Sequence, residues 1–194
     1  SERLPEAIHR ACDRWFVEAV GPLVAAGKLG CVLLQLPPDL DATRGNARKV
    51  EALRERFPGL PLALEFRHAS WLADDRRARV LDLLRGCRMS LVAVDTPGGA
   101  ISALPPVCVV TEPSLTVVRF HGRNRGMWSA RVDTAAERFD HLYSEDELAE
   151  WVPPIRKLSG EAGQVHALMN NCTYNAAQLN GYGLGALLGE QLRD

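Results

Sequence analysis

Short, nearly continuous apolar runs punctuate the chain at 31–36 (CVLLQL), 61–66 (PLALEF), 90–94 (SLVAV), 116–121 (TVVRFH) and 164–169 (QVHALM). Runs of this length without polar alternation predict strands buried on both faces. Helical periodicity fills most of the gaps. Residues 4–20 place Ile8, Ala11, Cys12, Trp15 and Ala19 on one stripe, and 43–57 do the same with Ala47, Val50, Leu53 and Phe57 before Pro58-Gly59 stops them. Residues 72–85 carry Val80, Leu81 and Leu84, with Gly86 as a C-cap. Ser144-x-x-Glu147 is a capping box that opens a helix at 145 bearing Leu148, Trp151, Ile155 and Leu158. Pro153-Pro154 inside that pattern predicts a kink or a split, because proline lacks the helical N–H. A last helix, weakened by Gly181, Gly183 and Gly185, starts near 173. Residues 95–115 hold four prolines and little periodicity, so a long ordered loop is expected there in place of a helix.

Strands and helices alternating at this spacing predict parallel βαβ units, as in a doubly wound sheet or a (β/α)8 barrel. The polar residues narrow the choice. The runs end in Gln35, Glu65-Phe66-Arg67-His68, Asp95-Thr96-Pro97, Arg119-Phe120-His121-Gly122-Arg123 and Asn170-Asn171. Alternation puts Glu65 with Arg67, and Arg119 with His121, on common faces. Polar groups at the C-terminal end of every strand match a TIM-type barrel, whereas an open sheet uses one switch point. The expected fold is therefore α/β, a TIM (β/α)8-type barrel represented by five βα units in a single domain over 1–194.

Composition removes several function classes. Lys plus Arg (23) almost balances Asp plus Glu (24) in 194 residues, so no global field draws nucleic acid or an anionic membrane. An anion site must be local. Five scattered cysteines without a CxxC pair suggest reduced thiols, with neither a zinc knuckle nor a disulfide framework. No apolar run approaches the ~18 residues of a membrane span, and no signal pattern opens the chain, so a cytoplasmic protein is expected. The start at Ser1, already inside a helical pattern, suggests a truncated or processed N-terminus.

The stretches LLQLPP, LEFRHASW, VAVDTP, VRFHGR, YSEDELAEW and the pair NN stand in an order and spacing that resemble the DUF72 (YecE-like) family of TIM-barrel proteins, whose function is poorly defined. The resemblance runs over nearly the whole chain, and EFRH-x-SW with RFHGR is its specific part. It implies that these strands are the fourth to the eighth of a barrel lacking about three N-terminal βα units. Two unpaired edges would then invite association. Met169 stands where the family more often has an aromatic, and the closing helix is unusually glycine-rich.

Glu65 and Arg67 are open to a bland reading as a strand-end ion pair, His121 as a hydrogen-bonded core histidine, and Asn170 and Asn171 as loop ties. Buried ionic pairs need not stabilise, so their gathering at one edge points to a ligand site. The functional expectation is an enzyme for an anionic or phosphorylated substrate, such as a phosphodiester or sugar phosphate, and so a hydrolase of phosphoester bonds. His121 is the expected general acid or base, with Glu65 or Asp95 as its partner. Arg67, His68, Arg119, Arg123, Asn170, Asn171 and Gln35 are the expected substrate contacts. Arg123, Arg125 and Arg131, with Gly122, Gly126 and Trp128, mark the loop that holds phosphate in many barrels. A divalent metal on Glu65, Asp95 and His121 is chemically open, though metal-dependent barrels carry more ligands. Gly181-x-Gly183-x-x-Ala186 has no strand before it and fails as a dinucleotide fingerprint. The alternative is a binding module for nucleic acid or a phosphometabolite, without chemistry.

Overall fold

All five apolar runs are strands: β1 (Val32–Gln35), β2 (Leu62–Glu65), β3 (Met89–Asp95), β4 (Thr116–Phe120) and β5 (Val165–Met169). They pair in parallel, in chain order, as one five-stranded sheet. The computed structural model of the chain describes residues 5–97, 104, 106–128, 130, 137 and 139–189. Within these, the helices are α1 (Glu6–Ala25), α2 (Arg44–Arg56), α3 (Asp74–Gly86), the single turn α4 (Arg125–Trp128), α5 (Glu145–Ala149), α6 (Val152–Glu161) and α7 (Ala176–Leu188).

Local sequence accounts for the helix boundaries. Thr43 caps α2 by accepting from the Asn46 amide at 3.3 Å. At α5 the expected capping box is present: Ser144 Oγ accepts from the Glu147 amide, and Glu147 Oε2 accepts from the Ser144 amide. The helix expected from 145 is split, with the proline pair in the first turn of α6, where a missing N–H costs no intrahelical bond. No helix is found among the described residues of 95–115. Instead, Thr111 Oγ1 accepts from the Leu91 amide at 2.8 Å and donates to the Met89 carbonyl at 2.7 Å. One side chain thus completes the ladder where β3 runs ahead of β4.

The sheet is curled into a half-barrel. Arg119 on β4 donates to Gln35 on β1 at 3.1 Å, although a flat sheet would separate those strands by about 14 Å at 4.7–4.9 Å per strand. At the opposite ends of the strands, a Cβ on Gly30 would lie 2.7 Å from the His166 ring on β5. Side chains from non-neighbouring strands therefore meet inside the curl.

The apolar stripe expected on the first helix is left largely uncovered. No residue of α1 is buried, and Trp15 is 67% exposed. The cause is position: β1 is an end strand, and α1 meets α2 through a Phe16–Phe57 edge contact and an Arg56–Asp13 ion pair. The buried core forms two clusters. In the larger one Val50 of α2 and Leu84 of α3 join Leu62, Leu64, Leu91 and Val117 of the sheet, and α1 adds the half-buried Val20. The smaller one holds Phe120, Tyr143, Trp151, Ile155 and Leu158 on the outer side of β4.

Candidate functional site

Glu65, the last residue of β2, is fully buried and is the centre of a polar cluster inside the curl. Its Oε1 accepts from Arg67 Nη1 at 3.1 Å and from His121 Nε2 at 2.9 Å, and its Oε2 accepts from Arg119 Nη1. Register explains the meeting. Glu65 pairs with Gln35, and both lie on the same side as Arg119 and His121 of the β4 edge. A guanidinium can only donate, so Arg119 Nη2 fixes the Asn170 amide with its oxygen inward at 2.8 Å. Asn170 Nδ2 then donates to His121 Nδ1 at 3.0 Å, which leaves the imidazole proton on Nε2, facing Glu65. Arg67 Nη1 also approaches His121 Nε2 at 3.4 Å, but with two donors that contact is no hydrogen bond.

Charge follows from this network. Burial disfavours the Glu65 carboxylate, yet the His121 hydrogen bond and the nearby cations outweigh it and hold the group at about 2. Burial lowers the pKa of His121, and the two arginines lower it further against the pull of Glu65. The imidazole is therefore neutral. Two guanidinium groups share one carboxylate, so the cluster keeps an excess positive charge.

Aromatic rings close one side. Trp128 and Phe139, both on the chain after β4, lie 6.2 and 5.6 Å from the His121 ring, and the Arg67 guanidinium sits 5.3 Å from the Trp128 ring centre. Trp128 is buried with Arg67 over its ring, so it is not open to stack on a base or sugar. Gly122 makes the sharp turn with φ +89, and a Cβ there would lie 2.9 Å from His141 Cβ. Its amide donates to the Tyr143 hydroxyl at 2.8 Å.

A family model described as "Protein of unknown function DUF72" matches residues 2–194. The chain belongs to the DUF72 family. It is 28% identical over 169 residues to the UPF0759 protein YunF of Bacillus subtilis (strain 168), covering 86% of this chain but 60% of YunF. A DUF72 family crystal structure from Enterococcus faecalis V583 superposes with a TM-score of 0.88 at 28% identity, over 95% of this chain and 68% of that one. One from Thermotoga maritima MSB8 gives 0.83 at 30% identity, over 93% and 66%. The DUF72 chain described here thus spans about two thirds of these solved relatives and 60% of YunF.

Not all the expected site residues of this DUF72 chain come together. Gln35, Glu65, Arg67, Arg119, His121 and Asn170 do. Asp95 does not: it pairs in register with Phe120, on the outer face, and its carboxylate receives Arg123 Nε and Nη2 and the Trp151 indole. The trio Glu65, Asp95 and His121 therefore lies on two faces of the sheet. Among the described residues no three His, Cys, Asp or Glu side chains are grouped to hold a metal.

Arg123, expected to hold the anion, spends its Nε–Nη2 edge on Asp95 and reaches Glu150 at 2.8 Å, which raises its pKa. His121, expected as acid or base, is fully buried with both ring nitrogens bonded. Asn171 is buried and donates to the His141 carbonyl and to Asn180, tying loops together. His68 caps the turn at Ala69–Trp71, with Nδ1 accepting from the Ser70 amide. Arg131 lies outside the described residues. Tyr143, Glu150, Trp151 and Asn180 were not foreseen as polar partners. For Glu147, Glu150 and Trp151 a signal existed: their spacing of three and four puts them on one helical side.

Proposed function

We propose that the strand ends inside the curl bind a small anionic, phosphorylated ligand, and that Arg67 is its main contact. One observation carries this reading. Arg67 is anchored to Glu65 by Nη1 and backed by Trp128, while among the described residues its Nε and Nη2 have no hydrogen-bond partner. That edge of a guanidinium matches two oxygens of a phosphate or carboxylate. The same Nε–Nη2 edge of Arg123 holds Asp95. The excess positive charge around Glu65 favours an anion, and burial keeps it poorly screened.

In this reading His121 positions Glu65 and Asn170 and transfers no proton. The five parallel strands would be successive strands of a (β/α)8 barrel, in keeping with the greater length of the DUF72 relatives and with the site's place at the strand C-termini. A second reading, phosphoester hydrolysis, rests on His68, whose Nε2 has no partner among the described residues while Nδ1 is bonded to Ser70.

Calorimetric titration with inorganic phosphate and glycerol phosphate tests the binding. Arg67→Lys keeps the charge but loses the two-pronged edge, so affinity should fall roughly 10- to 100-fold, the equivalent of one charge-assisted bond at about 1.5–3 kcal/mol. Equal binding by Arg67→Lys would sink the assignment. Hydrolysis of a phosphoester that survives His68→Ala would remove the second reading.

A further inference from the structure

A cavity of about 660 Å³ opens beside the C-terminal end of β3, between the chain following that strand and the first turn of α6. None of Glu65, Arg67, Arg119 or His121 lines it. Its origin is architectural. The β3–β4 connection has no helix among its described residues, so irregular chain covers the sheet here and leaves room against α6. Four prolines, Pro97, Pro106, Pro153 and Pro154, form much of the wall. Their fixed φ makes that wall stiff, and a preformed pocket loses little entropy on binding.

The polar groups around the cavity fall into two sets. Asp95, Arg123, Glu150 and the Trp151 indole are hydrogen-bonded to one another, with one carboxylate in surplus. Arg125 and Lys157 also line the cavity, both are exposed, and neither has an ion-pair partner among the described residues. The α6 N-terminus adds little to anion binding, because Pro153 and Pro154 have no N–H. What remains is an apolar floor of Cys108, Trp151 and proline rings with two cations at its margin, so that the lining holds three cations against two carboxylates.

We propose that this cavity is a second ligand site, specific for an amphipathic organic anion. Such a ligand has a flat apolar body that fits against the prolines and Trp151, and one sulfonate, carboxylate or phosphate group that meets Arg125 and Lys157. Its volume lies in the range of small-molecule sites, about 300–1,000 Å³.

Protection of Cys108 from alkylation reports occupancy, since Cys108 lines the cavity while Cys12 and Cys172 are exposed elsewhere. Iodoacetamide labelling of the whole chain, read by peptide mass mapping, should slow about fivefold or more at Cys108 with naphthalene-1-sulfonate near saturation. Rates at Cys12 and Cys172 should not change. Lys157→Glu and Arg125→Glu change exposed side chains without disturbing the core, and each should raise the half-protecting concentration about tenfold. If Cys108 resists labelling without ligand, calorimetry with the same compound on wild type and Lys157→Glu makes the same comparison. Four results overturn the proposal: equal slowing at all cysteines, equal protection by neutral 1-naphthylmethanol, protection by inorganic phosphate alone, or charge reversals without effect.

Discussion

Replacing Glu65 with glutamine keeps the shape of the side chain and removes one charge at the centre of the cluster. Three donors converge on its two oxygens: Arg67 and His121 on Oε1, Arg119 on Oε2. An amide has one acceptor oxygen, so its NH2 must face a donor in either orientation. With the NH2 at the Oε1 position it meets Arg67 and His121. Moving the imidazole proton to Nδ1 would only pass the conflict to Asn170, which Arg119 already orients. With the NH2 at the Oε2 position it meets Arg119 directly. Both guanidinium groups are about nine-tenths buried and lose the one carboxylate they have among the described residues.

Two routes give the same magnitude for Glu65→Gln. Breaking a buried pair by removing one partner costs about 3–5 kcal/mol. Holding the carboxyl at about 2 instead of 4.5 is worth roughly 3.5 kcal/mol at 1.36 kcal/mol per pH unit. In a chain of this size, that lowers the melting temperature by roughly 6–20 °C, at 2–4 °C per kcal/mol. The pH dependence has a definite sign. A depressed carboxyl contributes its full stability above pH 4.5 and loses it as the pH falls toward 2. Urea unfolding of wild type and Glu65→Gln should therefore show the full difference at pH 7 and a shrinking one below pH 4.5. A difference under about 1 kcal/mol at neutral pH, or one that stays constant into acid, would refute the network as described.

Three further substitutions probe separate links. His121 is buried and neutral, so wild-type stability should fall as the pH drops below 6.5, where the unfolded chain takes up the proton first; in His121→Gln this part of the urea-midpoint slope should vanish. Gly122→Ala forces a side chain into φ +89 and against His141, and should cost about 1–3 kcal/mol by thermal unfolding; a neutral effect would mean the loop relaxes freely. Thr111→Val removes the hydroxyl that bridges Leu91 and Met89, leaving a buried amide unpaired at about 1–3 kcal/mol, and an unchanged urea midpoint would show that water replaces it.

Much of the fold was legible because strands buried on both faces have a simple signature. PLALEF and SLVAV read as strands without reference to the rest of the chain, and βαβ alternation implied their parallel order. The capping box at Ser144 and the break before Pro153-Pro154 are local events, set within one turn of chain. The α1 stripe is legible as a stripe but its exposure is not, because periodicity reports which residues share a side, not whether anything covers that side. The candidate site was legible in part for the same reason. Alternation placed Glu65, Arg119 and His121 correctly relative to their own strands, but the phase of Asp95 depends on the register between β3 and β4. That register, Asp95 opposite Phe120, is a property of two strands together.

The alternation Arg119-Phe120-His121 divides the polar strand ends into two networks with different chemistry. Arg119 and His121 point into the curl toward Glu65, while Phe120 points outward to Tyr143 and Trp151. Arg123, beyond the Gly122 turn, follows the outward side and closes on Asp95, Glu150 and the Trp151 partner of Phe120. The outward network sets one arginine among Asp95, Glu150 and, at 3.8 Å, Glu147, and ties α6 to β3; Glu150 is exposed, so water screens the surplus negative charge. The inward network sets two arginines against one carboxylate and, among the described residues, leaves the Nε–Nη2 edge of Arg67 without a partner. Burying a second guanidinium beside a carboxylate already shared need not stabilise the fold. An anion arriving between Arg67 and Arg119 would complete the balance of a buried, positively charged cluster, and that sign and burial separate the proposed ligand site from its structural counterpart one residue away along the strand.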